Sequence, residues 1–136
     1  MKKYQLTSET ITVNGRTLHR IQALRDFADV KANELGGFVE NEGNLEQEVC
    51  DDDTCWVYDN ACVYGDARVA DDATVRDNAQ VFGFAMVLNS AEVSGNAQVF
   101  DYARVDENAK IGGTAIISGI AVISGNSKIV KAKRDK

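Results

Sequence analysis

The sequence predicts an all-β fold, a parallel β-helix built from six-residue steps, on two observations. Every sixth residue from Val57 to Ile129 is valine or isoleucine, thirteen times without a slip. A small residue follows four positions after each of the first twelve of them, from Ala61 through Ala121 to Ser127. Three of these steps, or hexads, close one coil. We expect about five coils stacked at the spacing of β-strands, about 4.8 Å.

Each position of the repeat has its own physical role, as the step that begins at Val93 illustrates. The β-branched residue favours a strand and points inward. The next turn residues, Gly95 and Asn96, belong to the types that tolerate a left-handed backbone. Ala97 then fits a corner that is too tight for a larger side chain. The absence of proline agrees with this interpretation, because every backbone N–H is needed in the strand ladder.

The lattice extends upstream in a weaker form. Counting back by sixes from Val57 reaches Asp51, Leu45 and Val39. We therefore expect a degenerate first coil, in which Asp51 is the defect. The helix is then expected to occupy residues 38–130.

The first 37 residues break the period and predict a separate element. Thr10–Val13 and Arg16–Leu18 flank Asn14-Gly15, a dipeptide that favours a two-residue type I′ hairpin turn. Because an open solenoid end exposes its core, we expect residues 1–37 to form a hairpin cap. A binding role for the hairpin is the alternative. Residues 131–136 are expected to form a basic C-terminal tail.

The repeat is similar to that of the hexapeptide-repeat, left-handed β-helix superfamily. A narrower resemblance rests on Leu35–Glu40, Asn44-Leu45 and Cys55–Tyr58. It is to uncharacterised bacterial and phage-associated hexapeptide-repeat proteins that share an N-terminal hairpin module. The resemblance implies a left-handed coil and trimers with parallel axes. We expect a turn at Leu35-Gly36-Gly37-Phe38, leading into the coils.

The superfamily also sets expectations about chemistry. Its acyltransferases imply a histidine in the coils and a loop extruded between them. Here the single histidine, His19, lies in the predicted hairpin, and the hexads from Val57 to Ile129 contain no insertion. We therefore expect no enzymatic activity, and an acyltransferase-like protein with a degenerate site is an alternative.

Metal binding is not expected from this sequence. One histidine cannot supply the three-histidine zinc pattern of the carbonic anhydrase type within the superfamily. Cys50 and Cys62 project from different faces in a register of three hexads per coil, whereas structural zinc ligands must converge. We expect neither a metal nor a cofactor.

Charge is unevenly distributed along the chain. The net charge is −6, and residues 50–127 carry twelve acidic but only four basic side chains. Such a body is not expected to bind nucleic acid. A solvated acidic surface is the simplest interpretation. The alternative is a partner-binding edge that imitates a phosphate backbone, formed by Asp71, Asp72, Asp106 and Glu107.

One outward face is aromatic, because residues three hexads apart lie above one another. The predicted patch consists of Tyr64, Phe82, Phe84, Phe100, Tyr102, Ile116 and Ile120. Aromatic side chains present about 150–250 Å² each. A patch of this size is at or beyond what monomers leave exposed. We expect self-association into a trimer or a two-fold dimer, with a different protein partner or an inert surface stack as alternatives.

These observations predict a non-catalytic, oligomeric interaction protein in the cytoplasm. No apolar run is long enough to span a bilayer, and the first residues do not resemble a signal peptide. The phage-like resemblance implies a protein that binds and blocks a host protein, such as a defence component. An alternative is sequestration of a small molecule, such as a nucleotide, in grooves between subunits.

Overall fold

The computed structural model describes residues 3–47, 54–130 and 133–134. They form a β-solenoid of about four coils with an N-terminal hairpin, and three sheets run along its three faces. The strands are numbered β1 to β17 in chain order. The 3-10 helix Glu42–Asn44 follows β3, and no helix in the described ranges is long and apolar enough to cross a membrane.

Face 1 contains β1 (Tyr4–Val13), β2 (Arg16–Ala23), β3 (Leu35–Val39), β5 (Cys62–Val63), β8 (Gln80–Val81), β11 (Gln98–Val99), β14 (Ile116–Ile117) and β17 (Lys133–Arg134). Face 2 contains β4 (Trp56–Val57), β7 (Thr74–Val75), β10 (Glu92–Val93), β13 (Lys110–Ile111) and β16 (Lys128–Ile129). Face 3 contains β6 (Arg68–Val69), β9 (Met86–Val87), β12 (Arg104–Val105) and β15 (Val122–Ile123).

The coils stack in the predicted register of three hexads. On face 2, Val75 pairs with Val93, and Val93 pairs with Ile111, both in parallel ladders. These side chains point inward and are buried, as is the corner residue Ala97. The predictions of inward valine and isoleucine and of small corner residues are therefore confirmed.

The first coil departs from this register. Val39 pairs with Val63, and Leu45 forms a bridge with Val69, so each partner lies four hexads away rather than three. One additional hexad therefore separates the first rung from the second. The described strands stack as about four coils, where about five were expected. Asp51, the predicted defect, lies outside the described residues.

The segment that leads into the coils is a strand and not the predicted turn. Residues Leu35–Val39 form β3, which joins the hairpin to the first coil. A Cβ atom on Gly36 would lie 2.6 Å from the Val57 carbonyl oxygen, and one on Gly37 would lie 2.5 Å from that of Ala61. The two glycines therefore allow β3 to approach the coil backbone closely.

The hairpin covers the N-terminal end of the core. Strands β1 and β2 are antiparallel, and the positive φ angles of Asn14 (51°) and Gly15 (79°) fit the predicted type I′ turn. The buried Trp56 ring meets the rings of Tyr4 and Phe27 edge-on, at centroid distances of 6.1 and 5.1 Å. This aromatic cluster fixes the hairpin module to the first coil.

The last rung is also out of register. Ile116 in β14 pairs with Lys133 in β17, one position short of three hexads. Lys133 and Arg134 belong to the segment expected as a basic tail, and their backbone extends face 1.

The turns carry a second, unpredicted ladder. The first turn position has a positive φ in three columns: Asp59, Asp77, Gly95 and Gly113; Asp71, Asn89, Glu107 and Gly125; Gly65, Gly83, Asp101 and Gly119. Where this residue is Asp, Asn or Glu, its side-chain oxygen accepts a hydrogen bond from the backbone N–H at the same position of the next coil. Asp77, for example, accepts from Gly95 at 2.9 Å. The turn carboxylates thus join neighbouring coils.

Replacing Asp77 should separate two contributions of such a residue to stability, its side-chain hydrogen bond and its tolerance of a positive φ. Asp77→Gly loses the bond to Gly95 but keeps an easy positive φ, and we expect a loss of about 1 kcal/mol. Asp77→Ala loses the same bond and keeps a Cβ at a positive φ without the local side-chain hydrogen bonding that lets Asp tolerate it, and we expect a loss of about 2 kcal/mol. Urea unfolding measures both. Equal stability of the two variants would contradict this account.

Candidate functional site

Two aromatic columns run along the outside of the solenoid, on either side of a turn. In the inner column the Tyr64, Phe82 and Phe100 rings are stacked, with centroids 5.0 and 4.9 Å apart. In the outer column the Phe84 and Tyr102 rings are stacked at 5.0 Å. The residues predicted as one aromatic patch are therefore brought together as two parallel ladders.

Tyr64 differs from its expected place on an open face, because the hairpin covers it. Its side chain packs with Leu18 and Phe38 and is only 3% exposed. Its hydroxyl accepts a hydrogen bond from the Asn14 amide at 2.9 Å and donates one to the Gln80 side chain at 3.3 Å. Burial raises the pKa of Tyr64 above its ordinary value. The inner column therefore ends beneath the hairpin turn.

The outer column remains open to solvent. Phe84, Tyr102 and Ile120 are 52%, 65% and 67% exposed, and we call these three residues the apolar corner. Phe82, Phe100 and Ile116, on the adjoining face, are half-buried. Three large apolar side chains in one column are more than scattered surface residues, and such patches mark contact surfaces.

A groove of about 310 Å³ lies where the hairpin turn meets the aromatic columns. Gly65 and Gly83 form its floor, and Phe82 and Phe84 line its side. Arg16 lies at the rim, but its guanidinium is paired with Glu40 at 2.9 Å, which neutralises its charge. The other charged residue among those lining the groove is Asp66, so the groove offers aromatic surface and a carboxylate rather than a free positive charge.

Two of the four carboxylates of the predicted acidic edge serve the turn ladder. Asp71 accepts a hydrogen bond from the Asn89 N–H at 3.0 Å, and Glu107 accepts one from the Gly125 N–H at 2.7 Å. They lie in one column, separated by Asn89. Sequence reasoning treated them as surface charge and missed this structural role.

The other two carboxylates of the edge also have protein partners. Asp72 accepts a hydrogen bond from the Thr54 hydroxyl at 2.8 Å. Asp106 is paired with the Arg104 guanidinium at 3.0 Å. An incoming partner would therefore compete with contacts inside the chain for all four carboxylates.

A second groove, of about 250 Å³, lies at the C-terminal end of face 2. Lys110 and Lys128 are neighbours in register and both line it, with Ser94 and Gly112 beside them. Lys110 is 3.7 Å from Glu92, whereas Lys128 takes part in no ion pair within the described part of the chain. We call this the lysine groove. Sequence reasoning did not single it out, although Lys110 and Lys128 lie one coil apart in the sequence.

The single histidine is distant from the lysine groove. His19 lies on β2, at one end of face 1, whereas β13 and β16 are the last strands of face 2. Its Nδ1 is 3.1 Å from the Thr7 carbonyl oxygen, which can only accept. The neutral ring therefore carries its proton on Nδ1. Across residues 3–47 and 54–130, no group of three His, Cys, Asp or Glu side chains is arranged to hold a metal.

Cys62 provides a test of the packing beneath the hairpin. Burial raises the pKa of its thiol to about 11, from 9.0. The Cys62 thiol therefore ionises at a lower pH in the unfolded chain than in the folded protein. The folded state keeps its full stability below pH 9 and loses stability as the pH rises from 9 towards 11. Because of this thiol, we expect the free energy of unfolding to be about 1 kcal/mol lower at pH 10 than at pH 7.5.

Urea unfolding at the two pH values measures this loss. The buried tyrosines act in the same direction at higher pH, so Cys62→Ala is the control that isolates the thiol. An identical pH dependence in wild type and variant would contradict the assignment.

Comparison with known proteins gives one informative similarity. No family model matches the chain. A protein of Escherichia coli (strain K12), named the uncharacterized acetyltransferase YdcK, is 35% identical over 79 residues. The match covers 52% of this chain but 23% of the relative, so the chain spans less than a quarter of that protein's length.

This similarity and the fold agree, and they correct one expectation. A β-solenoid with a hexapeptide repeat and an acetyltransferase relative is consistent with the hexapeptide-repeat superfamily. The expectation that the protein is not an enzyme is contradicted, because the relative is named an acetyltransferase. That expectation relied on the missing coil histidine and on uninterrupted hexads. Neither feature prevents similarity to a protein with that name.

Proposed function

We propose that the protein is an acyl-transfer protein of the acetyltransferase type and that it binds a phosphate-bearing acyl donor in the lysine groove. The observation that carries the proposal is the 35% identity with the E. coli protein named an acetyltransferase, over 79 residues. The fold is compatible with it, since the solenoid supplies a rigid surface on which a long donor can lie.

The charge of the lysine groove supports this choice of site. The body of the chain is acidic, yet Lys110 and Lys128 are paired in adjacent rungs here and both line the groove. Ammonium groups bind phosphate as point charges. Because Gly112 has no side chain, the space beside the two lysines stays open. A Cβ atom at this position would lie 3.1 Å from the Ser94 hydroxyl oxygen. The aromatic groove at the hairpin has no comparable positive charge.

The chemistry proposed for this site follows from what lines it. Among the described residues that line the groove, the one carboxylate is Glu92, which is paired with Lys110 and Arg76, and none is a histidine. An acceptor amine must therefore arrive already neutral in order to attack the donor carbonyl. We expect slow transfer whose rate rises with pH along the ionisation of the acceptor itself. His19→Asn should leave that rate unchanged, since His19 lies at the other end of the solenoid.

We further propose that the protein works as a homo-oligomer joined through the apolar corner. The exposed fractions of Phe84, Tyr102 and Ile120 support this, and they are the largest in the aromatic columns. A trimer with parallel axes is the arrangement that the superfamily resemblance implies. A symmetric assembly would repeat the lysine groove once per subunit.

Calorimetric titration with acetyl coenzyme A tests donor binding. We expect wild type to bind and Lys110→Ala/Lys128→Ala to bind at least tenfold more weakly, with less dependence on salt. Lys31→Ala, which removes an exposed lysine from the N-terminal module, is the matched control. Absence of binding to wild type would overturn the proposal, and equal binding by the double variant would overturn the site.

A further inference from the structure

A lysine is buried where the hairpin module meets the first coil. The Lys3 side chain is inaccessible to solvent. Its Nζ donates to the Cys55 carbonyl oxygen at 2.7 Å and to the Cys55 sulfur at 3.1 Å. The ammonium also lies 5.3 Å from the centre of the Phe27 ring. The nitrogen of one side chain is therefore held against the sulfur of another, in a dry site.

This arrangement is unfavourable if it serves packing alone. The ion pairs of the described residues do not include Lys3. Burying a charged group without an opposite charge is unfavourable, even when neutral groups accept its hydrogen bonds. Hydrogen bonds to one carbonyl and one sulfur recover only part of that cost.

Cys55 is equally unexplained by packing. It occupies the corner position of its hexad, which is alanine in the next eleven steps, from Ala61 to Ala121. Alanine fills that corner without leaving it exposed in the neighbouring coils, as at Ala61 and Ala79. The Cys55 sulfur is therefore not needed to fill this corner, and it lies against the Lys3 side chain.

We propose that Lys3 and Cys55 are an oxidation site, at which one oxygen atom is inserted between Nζ and Sγ to form a covalent N–O–S bridge. The contact of 3.1 Å favours this product, because a bridging oxygen needs only a small approach of the two atoms. A direct N–S bond would require a much larger one. The bridge is neutral, so its formation also removes the buried charge.

The oxidant is hydrogen peroxide, and two molecules are consumed. The first converts the Cys55 thiol to a sulfenic acid and releases water. In the second step the sulfenic oxygen becomes the bridge: its O–H bond and one N–H bond of the neutral amine break, the N–O bond forms, and peroxide accepts these two hydrogens together with the two electrons that the nitrogen loses. This step releases two molecules of water, and the extra proton of the ammonium passes to solvent. Sulfur and nitrogen are oxidised, and peroxide is reduced.

The bridge would have a mechanical consequence. It closes a covalent loop between positions 52 residues apart, at the start of β1 and immediately before β4. A cross-link of this kind restricts the unfolded chain more than the folded one. We expect the melting temperature of the bridged protein to be higher by about 5–10 °C. The oxidised form would thus hold the hairpin module on the solenoid more firmly.

Intact-protein mass spectrometry after mild peroxide treatment tests the proposal. We expect a gain of about 14 Da, one oxygen in and two hydrogens out, which a thiol reductant removes. Peptide mapping should then join the peptides that contain Lys3 and Cys55. Lys3→Arg and Cys55→Ser should both lack the gain. Cys62→Ser is the matched control, because it removes another buried cysteine and should keep the bridge.

Three outcomes would overturn the proposal. The first is an unchanged wild-type mass under conditions that oxidise an unfolded control. The second is addition of oxygen to Cys55 alone, without a link to Lys3. The third is persistence of the same mass gain in Lys3→Arg, since the nitrogen would then not be the partner.

Discussion

Phe84→Asp/Tyr102→Asp should convert an assembled protein into a monomer of 14.8 kDa. The two rings are stacked 5.0 Å apart and more than half exposed, so a partner subunit would bury them together. Burying an aromatic side chain contributes roughly 2 kcal/mol, and symmetry repeats that gain in every interface. Two carboxylates placed there must be desolvated opposite their own copies.

The measurement is light scattering across a concentration range, and the repeat supplies a matched control. Asn78 and Asn96 hold the same second turn position on another corner, and both are exposed. Asn78→Asp/Asn96→Asp therefore adds the same charge at equivalent backbone sites and should remain assembled. A wild type that stays at 14.8 kDa at every concentration would refute self-assembly through this corner.

Trp56→Ala should be the most destabilising single substitution at the junction of the hairpin cap and the first coil, by about 3–5 kcal/mol. The Trp56 side chain is 1% exposed and lies between the Tyr4 and Phe27 rings. Its loss leaves a cavity at the junction of the hairpin and the first coil, and it removes two edge-on ring contacts. The coils beyond it keep their own nearest-neighbour contacts.

Urea unfolding gives the magnitude, and hydrogen exchange gives the location. We expect amide protection in β1 and β2 to fall much more than protection in β10 or β13, because the damage is local. Trp56→Phe keeps an aromatic ring and should cost less than half as much. A uniform loss of protection along the solenoid would mean that the cap and the coils unfold as one unit.

The coils could be predicted because each hexad repeats one physical requirement. Val93 must point inward and Ala97 must fit a corner, and the equivalent residues of the other hexads meet the same two requirements. The first coil could not be predicted in the same way. The pairing of Val39 with Val63 is offset by four hexads, whereas the later pairings are offset by three. A period of one hexad fits both offsets, so periodicity alone does not distinguish them.

The surface was harder to predict than the core, since it depends on contacts between different elements. Tyr64 belongs to the aromatic column by register, yet the hairpin, which lies outside the register, covers it. Asp71 was interpreted as part of a solvated acidic surface, but its carboxylate accepts a hydrogen bond from the Asn89 N–H of the next coil. One signal was available in the sequence. Acidic residues or Asn recur with glycine at the same turn position, which indicates a shared left-handed backbone.

The length of one coil, three hexads, also limits how such a chain can grow or shrink. Duplicating three hexads adds a coil and leaves Phe84 and Tyr102 in one column with the residues beyond them. Duplicating a single hexad preserves every inward valine, so the core tolerates it, but it rotates all later surface residues by one face. The pattern of the core therefore repeats every hexad, whereas the pattern of the surface columns repeats every three hexads. A single hexad can therefore be gained or lost without displacing the surface columns only near an end of the solenoid, and the additional hexad between the first and second rungs lies near the N-terminal end.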